Sequence, residues 1–137
     1  LVSCDNAHAL HPNHAEKTDA VNFVTMNGGI VIKESANQKY TTDAFSRALF
    51  TGVCQNVNVP VQSFANRSDV VGGSTLGNLS NTQVSVHAVD FGLAQLAMHS
   101  CFETAGVKDT EYAIVALKEF YETNVQIEEA ESVCLEK

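Results

Sequence analysis

The stretch GGIVIKESANQKYTTDAFSRALFTGVCQNVN, residues 28–58, decides the fold. The apolar run that follows Gly28 and Gly29 predicts a buried strand. A helix is predicted next, with its N-cap at Thr41 or Thr42 and apolar residues at helical spacing. These apolar residues are Phe45, Ala48, Leu49, Gly52 and Val53. A strand followed by a helix is the unit from which α/β domains are built, so the stretch predicts that class.

Predicted strands and helices also alternate in the rest of the chain. Gly106 is expected to end one helix, and Asp109 to cap the next as its N-cap. Because parallel neighbours need a crossover connection between them, the alternation predicts a largely parallel sheet. Strands are predicted at residues 2–4, 59–69 and 83–92, and helices within residues 70–81, 93–106 and from residue 109 onward.

Charge and hydropathy limit the classes of partner. The chain of 137 residues has a net charge of −8 at pH 7 and no apolar stretch near 18 residues. We therefore expect neither nucleic acid nor a membrane as a partner. The four cysteines form no CxxC pair, which favours reduced, buried thiols and a cytoplasmic location. They are Cys4, Cys54, Cys101 and Cys134.

Three histidines follow the first strand. His8, His11 and His14 have a spacing that one helical face would offer to zinc. Pro12 interrupts that helix, so the spacing by itself does not predict a metal site.

Two other patterns each leave two interpretations open. The segment GGSTLG, residues 72–77, lacks the lysine of a phosphate-binding loop. Its N–H groups at residues 73–75 either hold a carboxylate or oxyanion, or belong to a plain Gly-rich turn. Asp90 and His99, which follow one strand, either form a carboxylate–histidine site, or His99 is a core histidine with its hydrogen bonds satisfied.

Five segments, in their order and spacing, resemble the carboxyl-terminal half of the catalytic domain of aspartyl aminopeptidase-like enzymes, the di-zinc exopeptidases of metallopeptidase family eighteen. The resemblance covers residues 1–122 and implies a three-layer α/β/α zinc-peptidase-like domain, of which this chain is the carboxyl-terminal portion. Residues 123–137 are then an acidic, solvated tail. The segments are DNAHALHPN (5–13), GGIVIKESANQKYTTDA (28–44), VPVQSFANRSD (59–69), GGSTLG (72–77) and VDFGLAQLAMHS (89–100).

The resemblance assigns site residues one by one. Asp5, which opens the D-x-A-H-A-x-H-P motif, corresponds to a ligand of one zinc, and His99 of the M-H-S motif to a ligand of the other. Carboxylate oxygen and imidazole nitrogen suit zinc, and two ions can activate a bridging water. The positions that correspond to substrate-binding residues are His8, Lys33, Tyr40, Ser74 and Thr75.

Lys33 keeps two interpretations. It either complements an acidic substrate side chain or is a surface lysine on an edge strand. The chain departs from the family pattern at Ser68, where Asn is usual, and at Asn78, where Pro is usual, while Asn6 occupies a variable position. These departures concern loop detail and pocket shape rather than the metal ligands.

The resemblance also implies what the whole enzyme does. It would be a cytoplasmic di-zinc aminopeptidase that removes N-terminal residues, Asp or Glu among them, from peptide substrates, as a homo-oligomer that is a dodecamer at full length. The resemblance places the remaining ligands and the general-base glutamate upstream of Leu1, so no catalytic residue is assigned here. With two of five ligands, this chain alone is expected to be inactive. The alternative is a non-catalytic α/β module for assembly or peptide binding.

Overall fold

The computed structural model describes residues 1–129 and 132–136. Its strands and helices confirm the predicted α/β class. A 3₁₀ turn lies at Ala15–Lys17. The strands are β1 (Val2–Cys4), β2 (Ala7–His8), β3 (Ile30–Glu34), β4 (Val61–Ala65), β5 (Val89–Gly92), β6 (Ala94–Leu96), β7 (Thr104–Ala105), β8 (Asn124–Glu129) and β9 (Ser132–Glu136), and the helices are α1 (Ala44–Asn56), α2 (Leu76–Asn81) and α3 (Val107–Glu122).

The main sheet has the strand order β1-β5-β3-β4. Strands β1 and β5 pair in parallel, as do β3 and β4, whereas β3 and β5 are antiparallel. Two of the three pairings are parallel, as predicted, and the antiparallel pairing of β3 with β5 makes the sheet mixed. A crossover helix fixes the direction only of the strands it joins, as α1 does for β3 and β4. Strand β5 pairs with the other edge of β3 and runs in the opposite direction.

The N-cap of helix α1 lies one residue after Thr42, the later of the two predicted N-caps. Asp43 is the N-cap: its carboxylate accepts the N–H of Ser46 at 2.7 Å, and the Ser46 hydroxyl accepts the N–H of Asp43 at 3.0 Å. Thr41 and Thr42, the predicted N-caps, bond to Asp90 instead.

The main apolar cluster lies between the sheet and helices α1 and α3. Ile30 and Ile32 of β3 pack with Phe50, Phe91 and neighbouring side chains. The ring centroids of Phe50 and Phe91 are 4.7 Å apart. The buried face of α1 is rotated from the predicted stripe, which contained the exposed Ala48. It consists of Ser46, Phe50, Val53 and Cys54.

Residues 93–106 do not form the predicted helix. They form β6, a turn and β7, and β6 pairs in parallel with β2. Ala97 and His99 have positive φ values of 54° and 69°, which an α-helix does not contain. A short apolar run is ambiguous between helix and strand until its pairing partner is known, and here the partner is β2.

The start of α3 also differs from its prediction. Gly106 is the N-cap of α3 rather than the end of an earlier helix, and Asp109 lies in the first turn. Asp109 is fully buried and accepts the N–H groups of Asn27 at 2.6 Å and Gly29 at 2.9 Å. Its carboxylate therefore holds the loop before β3 against the helix start, because a buried carboxylate needs such donors.

The acidic tail, residues 123–137, contains an antiparallel hairpin of β8 and β9, which sequence analysis did not predict. A Cβ added to Gly52 of α1 would lie 3.1 Å from the Leu135 side chain, so the hairpin packs closely on that helix. Among the described residues, no helix is long and apolar enough to cross a membrane.

The four cysteines are free, as predicted, but only one of them is buried. Burial raises the pKa of the Cys54 thiol to about 12. Cys134 is half-buried, and Cys4 and Cys101 are exposed, which corrects the expectation of four buried thiols. Both exposed cysteines lie in turns or at strand ends rather than in the helix predicted around Cys101.

Candidate active site

A cavity of about 370 Å³ lies where β1, β3 and the loops after β4 and β6 meet. It brings together every residue that the resemblance assigned, although they are spread over 95 positions of the sequence. Those residues are Asp5, His8, Lys33, Tyr40, Ser74, Thr75 and His99.

Asp5 follows directly on β1 and is held by the neighbouring strand. Its N–H donates to the Phe91 carbonyl at 2.8 Å, continuing the pairing of β1 with β5. A Cβ at Gly92 would lie 2.0 Å from the Asp5 carbonyl oxygen, so only glycine allows the two backbones to approach this closely. The Asp5 side chain is 52% exposed, and its carboxylate is thus accessible to a ligand.

Lys33 is buried beneath Asp5. Its ammonium donates to the Asp5 carboxylate at 2.9 Å and to the backbone carbonyls of Asp5 at 3.3 Å and Asn6 at 3.2 Å. The residue is 3% exposed on an interior strand, so the alternative of a surface lysine on an edge strand is wrong. An ammonium has three N–H donors, and these contacts engage three acceptors.

Tyr40 covers this ammonium. Its ring centroid lies 4.8 Å from Lys33 Nζ, which is within the range of a cation–π contact. Its hydroxyl accepts the Asn66 side-chain N–H at 3.0 Å. Burial raises the pKa of Tyr40, and the charges of Asp5 and Asp90 act in the same direction, so the phenol is an un-ionised, oriented group on the cavity wall.

His99 lies in the turn between β6 and β7 with a left-handed backbone, φ 69°. Its N–H donates to the Glu103 carboxylate at 2.6 Å, and the Ser100 N–H closes the turn on the Ala97 carbonyl at 3.0 Å. A non-glycine residue in this region costs energy that the surrounding contacts must offset, and such residues cluster at functional sites. The turn places His99 on the cavity wall that also contains Asp5.

His8, at the end of β2, is sensitive to the groups around the cavity. Partial burial is the largest cause that lowers the pKa of His8. The nearby His99 and Lys33 lower this pKa further, and Asp5 acts in the opposite direction. The neutral imidazole is therefore favoured, and a neutral imidazole can accept a hydrogen bond from a substrate N–H.

Ser74 and Thr75 form the segment before α2. The Asn78 side-chain amide donates to the Ser74 hydroxyl at 3.1 Å and to the Gln38 carbonyl at 3.2 Å. Thr75 is the N-cap residue but makes no side-chain cap, and its buried hydroxyl has no hydrogen-bond partner among the described residues. The Asn78 amide therefore fixes the segment.

Three further residues support the cavity and were not predicted as site residues. Asn66 orients Tyr40, and Glu103 holds the turn of His99. Asn6 accepts from Lys33 through its carbonyl and links to Gln95 through its side chain, at 2.7 Å. Asn6 and Asn66 both lie in segments that carried the resemblance, but neither was assigned a role, and nothing local marked Glu103.

Two sequence patterns do not join this site. His11 and His14 line a neighbouring cavity of about 260 Å³, with ring centroids 5.2 Å apart. Asp90 is fully buried and bonds to Thr41, so it does not form the carboxylate–histidine site with His99 that sequence analysis left open.

The donor set agrees with zinc ligands but does not complete a zinc site. Asp5 provides a carboxylate and His99 an imidazole, which are the oxygen and nitrogen donors that zinc takes. Among residues 1–129 and 132–136, no group of three or more His, Cys, Asp or Glu side chains could hold a metal ion. A catalytic zinc needs three protein ligands, so these two donors alone would not hold one.

Comparison with known proteins identifies the family of this chain. Residues 1–121 match the family model described as aminopeptidase I zinc metalloprotease (M18), and the chain belongs to that family. A probable M18 family aminopeptidase 2 of Clostridium novyi (strain NT) is 47% identical over 121 residues, which are 88% of this chain and 28% of that protein. The chain thus spans little more than a quarter of the length of this relative.

Solved structures agree with the sequence comparison. A chain in the cryo-EM structure of the Ape4 and Nbr1 complex matches with a TM-score of 0.86 and 42% identity, over 88% of this chain and 23% of that one. The S. cerevisiae mApe1 dodecamer matches with a TM-score of 0.77 and 27% identity, over 88% of this chain and 26% of that one. These matches confirm the fold as that of part of an M18 aminopeptidase catalytic domain.

Proposed function

We propose that this chain forms part of the active site of a di-zinc aminopeptidase that releases N-terminal residues, Asp or Glu among them, from peptides. The observation that carries the proposal is the single cavity lined by Asp5, His99 and the assigned substrate-binding residues. Membership of a family of zinc metalloproteases supports the metal, and the two donor side chains in the cavity are of the types zinc prefers.

The residues of this chain have separate roles in the proposal. Asp5 and His99 each hold one zinc, and Lys33 orients the Asp5 carboxylate. When bound, the ions supply a nucleophilic water and polarise the scissile carbonyl. The neutral His8 accepts from the substrate, and Tyr40, Ser74 and Thr75 shape the pocket for its first residue. The general base and the remaining ligands come from outside this chain.

The assembled enzyme is proposed to be a homo-oligomer, a dodecamer, because the S. cerevisiae relative is solved as one. A cytoplasmic location is supported by the four free thiols, since thiols persist in reducing compartments.

The test uses the protein that contains this chain together with the complete ligand set. Asp5→Asn and His99→Ala are each expected to lower bound zinc below two ions per subunit and to lower kcat/KM on aspartyl and leucyl chromogenic substrates by at least about 100-fold, since each removes a metal ligand. His87→Ala is the matched control, because His87 lies outside the cavity, 4.4 Å from the ring of Phe45. Full activity of either ligand variant would refute the assignment.

The same assay separates the non-catalytic alternative. A wild-type protein that binds peptides or assembles but turns over neither substrate at any zinc concentration would support that alternative. The 137-residue chain alone is expected to turn over neither substrate, because two ligands do not hold a catalytic zinc.

A further inference from the structure

Asp90 is a fully buried carboxylate that neither lines the cavity nor belongs to an apolar cluster. Its Oδ2 accepts the Thr41 N–H at 2.6 Å and the Thr41 hydroxyl at 2.8 Å. Its own N–H donates to the Thr42 hydroxyl at 2.9 Å. The residue therefore fixes the backbone directly after Tyr40, both through its side chain and through its main chain.

The other oxygen of Asp90 lies against the segment that precedes and begins α2. Oδ1 has no hydrogen-bond partner among the described residues. A Cβ added to Gly77 would lie 3.0 Å from Oδ1 and 2.7 Å from the Thr41 hydroxyl, so these three groups are in close contact. The Gly77 N–H is bound by the Ser3 hydroxyl at 3.0 Å. An unpaired buried carboxylate oxygen costs stability, so its presence calls for an explanation.

We propose that Asp90 is a positioning residue for the pocket that receives the first residue of the substrate. It holds the segment of Tyr40 and Thr41 against the segment of Thr75 and Gly77, and these two segments contribute Tyr40 and Thr75 to the cavity. This inference rests on the proposed aminopeptidase function. Loss of the carboxylate releases Tyr40 from its place over Lys33 and leaves Asp5 and His99 with their own contacts.

Asp109 provides a matched control. It is also fully buried and also accepts two N–H groups, from Asn27 and Gly29, but none of these three residues lines the cavity. In the enzyme with the complete ligand set, Asp90→Ala is expected to raise KM by about 10-fold, the effect of one hydrogen bond to a charged group, with zinc content unchanged. Asp109→Ala is expected to leave KM unchanged. Equal KM values in the two variants would overturn the proposal.

Two further variants keep the test decisive. Asp90→Asn retains an acceptor for Thr41 and is expected to restore most of the KM change. If Asp90→Ala does not fold, Thr41→Val removes only the hydroxyl donor and is expected to raise KM by about 3-fold, as for one neutral hydrogen bond. An unchanged KM in Thr41→Val would then overturn the proposal.

A measurement that needs no activity separates this inference from the proposed function. In the 137-residue chain, nuclear Overhauser contacts between the Lys33 side chain and the Tyr40 ring are expected in the wild type and in Asp109→Ala. They are expected to be lost in Asp90→Ala and weakened in Thr41→Val, which keeps the Thr41 N–H bond to Asp90. Unchanged contacts in both Asp90→Ala and Thr41→Val would refute the positioning role. Their loss would support it even if the wild-type enzyme had no aminopeptidase activity.

Discussion

Strand β3 has two unlike faces, and the comparison between them separates what folds this protein from what gives it a site. Ile30 and Ile32 enter the apolar cluster with Phe50 and Phe91. Lys33, the next residue along, is just as buried but is held by three oxygen acceptors and an aromatic ring. Burial on the first face stabilises the fold, whereas the second face, where Val31 packs in another apolar cluster, also orients a charged group.

The largest effect on stability is expected from a substitution in the apolar cluster that packs on Ile30 and Ile32. Phe50→Ala should lower the free energy of unfolding by about 3–5 kcal/mol, because it removes a fully buried ring and leaves a cavity. Urea denaturation followed by circular dichroism measures the change. Tyr121→Ala, at an 80% exposed aromatic position on α3, is the control and should change little. A loss below about 1 kcal/mol in Phe50→Ala would contradict this view of the core.

The next largest effect is expected for Lys33, on the other face of β3. Lys33→Met in the complete enzyme should lower kcat/KM on N-terminal Asp or Glu by about 10- to 150-fold, which corresponds to about 1.5–3 kcal/mol for a charge-assisted hydrogen bond. Lys39→Met, at a lysine of the same segment outside the cavity, is the control.

The substrate comparison decides what Lys33 does. A loss confined to acidic substrates would indicate that Lys33 contacts the substrate carboxylate. Equal losses on N-terminal Asp and Leu would indicate that it acts through Asp5, to which it is bound in this structure. No loss on either would contradict both roles.

A smaller effect is expected at His8. Because its pKa is lowered in the folded state, its unfolded form binds a proton more readily, and the contribution of His8 to stability falls as the pH falls from about 6.5 through the folded-state pKa. Above that window the contribution is constant. Proton NMR titration should give a midpoint for His8 below about 6.5. His99→Asn removes one cause of the shift and should raise the midpoint; a midpoint that falls would contradict the assigned neighbours.

The smallest effect is expected for the ion pair between Arg47 of α1 and Glu34, the last residue of β3. Arg47 donates to the Glu34 carboxylate at 2.7 Å and to the Ser63 hydroxyl at 2.8 Å, with both charged side chains about two-fifths exposed. A double-mutant cycle of Arg47→Ala and Glu34→Ala should give a coupling energy of about 0.2–1 kcal/mol, decreasing with salt. A coupling as large as the effect of Phe50→Ala would contradict the distinction between exposed and buried contacts.

The segments quoted from the sequence determined much of the site. The resemblance placed Asp5, His8, Lys33, Tyr40 and His99 in one group, and the structure has them around one cavity. Their roles as ligands and substrate contacts stay predictions.

The sequence by itself also determined the α/β class, the core of β3 and the presence of α1 and α3, since side-chain periodicity reports which face of an element is buried. Only the tertiary structure decided the antiparallel pairing of β3 with β5, the strands in place of a helix at residues 93–106, and the partners of Lys33 and Asp90. These depend on contacts between residues dozens of positions apart. A local pattern gives the direction in which a side chain points, but the hydrogen-bond partner it meets is set by how the strands are arranged around it.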